Sequence, residues 1–171
     1  AKDADTIELI KQFLAVDKQV FKRIASASKV GSYMYPEKYI IYDSRVAYAL
    51  NWIILSQNAG DKFFPIPEGR NSKMMAFDMN VLIRLTNIEE YKPNDIKDLD
   101  NRRYINTLDK TTYIPENEAY SVLNALIKEV SELLWEKEQA KYLYFTEMLL
   151  FSIADREVYS DITNSLILVR K

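Results

Sequence analysis

At 171 residues, 48% hydrophobic and 28% charged, the chain has the length of about one domain and the composition of a folded one, which excludes wholesale disorder. A net charge of −2, from 23 Lys+Arg against 25 Asp+Glu, argues against a broad nucleic-acid footprint and leaves room for a local basic patch. The absence of Cys and His removes disulfides, thiolate nucleophiles, iron–sulfur clusters and imidazole sites, so no metal or cofactor is expected and proton transfer falls to Asp, Glu, Lys or Tyr.

In chain order, Asp5 and Glu8 have the spacing of a capping box, and Ile7, Ile10, Phe13 and Leu14 follow on one helical face. A second helix is expected over about 17–29, with Val20, Phe21, Ile24 and Ala27 inward, ended by Gly31 and Pro36. Tyr39, Ile40, Ile41 and Tyr42 read as a buried extended connection, because nothing nearby offers a partner strand. Asp43 then stands as N-cap of a helix over 44–55, with Val46, Ala49, Leu50, Ile53 and Ile54 on one stripe. From Gln57 to Ser72, Asn58, Gly60, Pro65, Pro67 and Gly69 mark a loop whose apolar part, Phe63 to Pro67, packs on the body.

A further helix is expected over 73–85. Residues 86–115 are polar and acid-rich, with room for a short helix over 95–108. The strongest amphipathic pattern covers 116–138, where Ala119, Leu123, Leu126, Ile127, Val130, Leu133 and Leu134 recur at helical spacing. A more apolar helix over 141–155, containing Glu147, is expected at the centre of the core. The tail Leu166-Ile167-Leu168-Val169 fits a short strand or a docked helix end. Six or seven helices and no credible hairpin make an all-α bundle, read as one domain over 1–171.

Gly31, Gly60 and Gly69 lie too far apart for a phosphate-binding glycine loop. The apolar runs are too short to span a bilayer, and the N-terminus lacks a signal-peptide pattern. With no Cys, this reads as a cytoplasmic protein without membrane contact. Position 1 is Ala rather than Met, as in a trimmed chain.

One stretch carries chemistry. Ala25-Ser26-Ala27-Ser28-Lys29-Val30, followed by Pro36-Glu37-Lys38-Tyr39-Ile40-Ile41-Tyr42-Asp43-Ser44-Arg45-Val46, resembles part of the helix-hairpin-helix DNA glycosylase superfamily. In that superfamily a Lys-bearing turn leads to an apolar stretch, and an Asp caps the next helix. Ile41 to Val46 fits the Asp-containing part. Ser28-Lys29-Val30 looks like the Lys-containing turn of the branch acting on oxidised guanine, and Tyr142 to Asp155 is loosely similar to a C-terminal helix of small glycosylase-like proteins. The resemblance implies a glycosylase-like fold and base excision from double-stranded DNA, with the target nucleotide flipped into a pocket. It implies catalytic roles for Asp43, stabilising positive charge on the sugar, and for Lys29, a Schiff-base nucleophile. The structural alternatives are a plain N-cap for Asp43 and a solvated helix-end lysine for Lys29.

Around this stretch, Tyr33, Tyr35, Tyr39, Tyr42 and Tyr48 interleave with Lys29, Lys38 and Arg45. Lys38, Arg45, Tyr35 and Tyr39 are the candidate DNA-binding set, with tyrosines along a core edge as the alternative. Arg70 with Lys73, and Arg102 with Arg103, are further basic pairs. Glu147 is either a buried acid with a raised pKa or the partner of an Arg or a helix cap. Asp95, Asp98 and Asp100 lack the Gly and closing Glu of an EF-hand. The competing reading of the chain is a non-catalytic helical interaction module, with Phe63 to Pro67 as its contact to a protein partner.

Overall fold

The computed structural model describes residues 21–67, 72–86 and 112–166, with Glu8 and Asp95 as single positions. The expected first helix, the helix over 95–108, Arg70, Arg102, Arg103, Asp98, Asp100 and the tail beyond Leu166 lie outside these residues. The protein is all-α. Among the described residues, eight α-helical segments follow one 3-10 turn, Phe21–Arg23: α1 Ile24–Met34, α2 Ser44–Ser56, α3 Ser72–Ala76, α4 Met79–Thr86, α5 Glu116–Leu134, α6 Lys137–Ala140, α7 Tyr144–Ile153 and α8 Glu157–Ser165. Six of them have eight residues or more, in keeping with the expected six to seven helices. No described helix is long and apolar enough to cross a membrane.

Helix α2 is the centre. Every residue from Val46 to Trp52 is buried, not just the expected stripe. Helices α4 and α7 pack against it, and polar handles tie down its other sides. The Asn51 amide donates to Phe64 O and accepts from Phe64 N–H, both at 2.8 Å, fixing the 63–67 loop to the helix. Trp52 Nε1 donates to Asp161 of α8 at 2.7 Å, and the Tyr48 hydroxyl donates to Phe77 O at 2.8 Å. Burial pushes the Tyr48 phenol up to about 12, with Asp78 adding to the rise. The loop packs as its composition predicts: Phe63 and Phe64 are buried, and Phe63 forms a lone parallel bridge with Tyr113.

Three expectations are corrected, and one helix is new to the sequence reading. The second helix runs through the buried Gly31 to Met34 and stops at Tyr35, because a residue before proline is pushed out of the helical region. The helix over 73–85 is two helices. Asp78 interrupts it and restarts it, its carboxylate accepting from Asn80 N–H at 2.8 Å as a local cap competing with helix continuation. Helix α7 is shorter than expected and lies on the flank, burying Thr146, Glu147 and Leu150 while Met148 stays 61% exposed. The run from Glu157 forms α8, where Val158 and Ile162, one turn apart, are buried.

Candidate functional site

Between α1 and α2, residues 39–42 take no regular secondary structure, Asp43 N–H turns back onto Ile41 O at 3.0 Å, and no described strand pairs with Ile40, Ile41 or Tyr42. A buried backbone must still satisfy its polar groups. Here side chains from three helices do so. Ile40 N–H donates to Asn124 Oδ1 of α5 at 2.9 Å, and Ile40 O accepts from the Tyr120 hydroxyl at 2.9 Å. Ile41 N–H donates to Glu147 Oε2 of α7 at 3.1 Å. Tyr42 N–H donates to the Ser28 hydroxyl of α1 at 2.9 Å. The Tyr42 hydroxyl reaches Pro65 O at 2.8 Å, and burial raises the Tyr42 phenol far above its ordinary value.

This clamped segment delivers Asp43 to the N-terminus of α2. Its backbone is extended, and its Oδ1 accepts from Arg45 N–H at 2.9 Å, the N-cap geometry the sequence predicts. The Asp43 side chain is half-buried. Near it lies Glu147, only 6% exposed. Burial pushes the Glu147 carboxyl up to about 7; the Ile41 N–H opposes the shift and the charge of Asp43 adds to it. Two carboxyls of unlike environment therefore interact beside the start of α2, one half-exposed, the other buried and raised toward neutrality by its burial. Such pairs suit division of proton-handling roles. Arg45 is the second residue of α2. Its Nη2 lies 3.5 Å from Asp155 Oδ2, and its guanidinium stacks 4.6 Å from the Phe151 ring centroid.

The predicted residues are distributed as follows. Asp43 and Arg45 come together, with Glu147 from the first turn of α7 beside Asp43 and Asp155, just past the end of α7, beside Arg45. Lys29 is exposed and lies within α1, not on a turn or a helix end. The Ser28–Tyr42 bond nonetheless places the residue before Lys29 against the residue before Asp43. Lys38 is exposed beside the turn after Pro36. Tyr39 stacks on Tyr120 with centroids 5.9 Å apart, and Tyr35 meets Tyr39 edge-on at 6.3 Å. Those two rings are half-buried and join an aromatic column with Tyr120 and Tyr42, while Tyr33 is 82% exposed. Among the described residues, no group of three acidic side chains could hold a metal ion.

Sequence reasoning did not find Ser28, Asn124 or Asp155. Their partners are 14 or more residues away, and no local pattern encodes such pairings. Glu147 did carry a signal, a lone carboxylate inside an apolar run. Comparison of the chain with family models, with curated proteins and with solved structures found no match in any of the three.

Proposed function

We propose that the chain acts on or binds damaged bases or abasic sites in double-stranded DNA, as the helix-hairpin-helix glycosylases it resembles do, with Asp43 as the working carboxylate. The observation supporting this reading is the carboxyl pair at the start of α2, a half-exposed Asp43 near a buried Glu147. In base excision the bond between sugar and base breaks, and its electron pair leaves with the base. Positive charge grows on the sugar, where a carboxylate stabilises it. Water adds at the vacated carbon and gives its proton to Asp43, while the departing base takes a proton from solvent. Lys29 enters the proposal as the amine that would replace water and form a Schiff base.

Asp43→Asn separates chemistry from capping. Asn caps a helix as well as Asp, so the melting temperature should hold. Excision measured on lesion-bearing duplexes should fall about 100-fold or more, the scale for removing one stabilising group from a transition state. Retained excision in a stable Asp43→Asn protein would overturn the assignment of Asp43.

A second reading, a helical protein-interaction module, is favoured by exposed apolar side chains: Leu133 at 86% and Leu134 at 55% on α5, and Met148 on α7. The contact expected for it is corrected, since Phe63 and Phe64 are buried and unavailable to a partner. Light scattering at high concentration should then show a dimer that Leu133→Lys with Met148→Lys disperses. A monomer throughout would count against self-association.

A further inference from the structure

Away from Asp43, the C-terminal end of α5, helix α6 and the turn after Pro36 enclose a hollow of about 510 Å³. That volume falls within the usual span for small-ligand sites, roughly 300–1,000 Å³. Its lining combines three kinds of group. Lys128, Lys137 and Lys141 bring positive charge, Glu37 and Glu132 bring carboxylates, and Trp135 brings an indole. Opposite charges on one wall would ordinarily neutralise each other. Here no ion pair among the described residues engages any of the three lysines; Lys141 Nζ lies 5.5 Å from the Tyr142 ring centroid instead.

The indole is held rigidly. Trp135 Nε1 donates to Thr146 Oγ1 at 2.9 Å, and Thr146 Oγ1 lies 2.6 Å from the Ser131 hydroxyl, with both partners buried. The Phe145 ring packs against the indole at 5.9 Å. Leu143 N–H donates to Pro36 O at 3.1 Å, closing the wall that carries Glu37. A preorganised ring loses little freedom when a ligand stacks on it.

We propose that this hollow binds a nucleotide. Its phosphate meets the ammonium groups of Lys128, Lys137 and Lys141, its base stacks on Trp135, and the exocyclic amine of adenine or cytosine donates to Glu37 or Glu132. A simple anion would leave the carboxylates opposing it, and an apolar ligand would leave the lysines unused. A nucleotide carries anion, ring and amine donors together. The nucleotide can be free or part of a strand, and the hollow stands or falls independently of excision at Asp43.

The test is calorimetric titration of the full chain with adenosine monophosphate, adenosine, inorganic phosphate and a single-stranded DNA pentaadenylate. A parallel titration follows Trp135 fluorescence in a Trp52→Phe background, where Trp135 is the one remaining indole. Adenosine monophosphate should bind more tightly than adenosine or phosphate and quench Trp135. Trp135→Leu should weaken it about 10-fold, the scale of one lost base stack. Lys137→Glu with Lys141→Glu, at exposed positions with little bearing on folding, should weaken it by a similar factor and flatten its salt dependence. Binding of the pentaadenylate alone would support the hollow as a strand subsite. No binding of either probe at millimolar concentration, or equal binding by the lysine variant, would overturn the proposal.

Discussion

Asn51→Ala is expected to lower stability by about 3 kcal/mol, the largest loss for a polar side chain in this fold. Asn51 is fully buried, and its amide satisfies both backbone groups of Phe64 at 2.8 Å. Truncation strands a buried N–H and a buried C=O at once, and each unmet group costs about 1–3 kcal/mol. The other polar anchors of this loop, the Phe63–Tyr113 bridge and the Tyr42 hydroxyl on Pro65 O, do not reach the Phe64 N–H or C=O. For a chain of this size the loss corresponds to about 6–12 °C in melting temperature. Denaturant unfolding should show the midpoint falling with an unchanged slope. A loss below about 1 kcal/mol would mean that the buried phenylalanines, the bridge to Tyr113 and the Tyr42 hydroxyl hold the loop without it.

Glu147→Gln is expected to stabilise the protein at pH 8 and to change little at pH 4.5. The carboxyl rises from 4.5 in the unfolded chain to about 7 in the fold. Between those values the folded state holds more protons than the unfolded state. The contribution of Glu147 to stability is therefore greatest below pH 4.5 and declines as pH rises through about 7. The full difference is on the order of 3 kcal/mol, from about 1.4 kcal/mol per pKa unit. Gln keeps an oxygen for the Ile41 N–H and adds an N–H in place of the acid proton, so it imitates the neutral carboxyl. The difference in stability between the two proteins, followed from pH 4.5 to 8.5, should grow with pH in favour of the Glu147→Gln variant. A constant difference would show Glu147 ionised throughout.

What could be read from the sequence was what local chemistry decides. Asp43 before an apolar run is an N-cap because only its own side chain and the next few N–H groups are involved. The pattern of Ala119, Leu123 and Ile127 gives α5 because its buried face repeats within one element, while Leu133 and Leu134, expected on that face, are exposed. Failures arise where distant parts decide. The stripe on α2 understates its burial because Phe64, Phe77 and Asp161 enclose the remaining faces through hydrogen bonds. Helix α8 is rich in β-branched and polar residues of low helix propensity, and its helicity rests on burying Val158 and Ile162. Of the candidate site, Asp43 and Arg45 were legible. The placement of Glu147 against Ile41 was not, since 106 residues separate them.

The start of α2 is proposed as a site for damaged DNA. Its most direct test is binding of the chain to a duplex carrying an abasic-site analogue, against the undamaged duplex, at two salt concentrations. A damaged-DNA site there should show preference for the analogue, affinity falling with salt as phosphate contacts are screened, and loss of affinity on Arg45→Glu. Equal binding to both duplexes, or none at low salt, would contradict it.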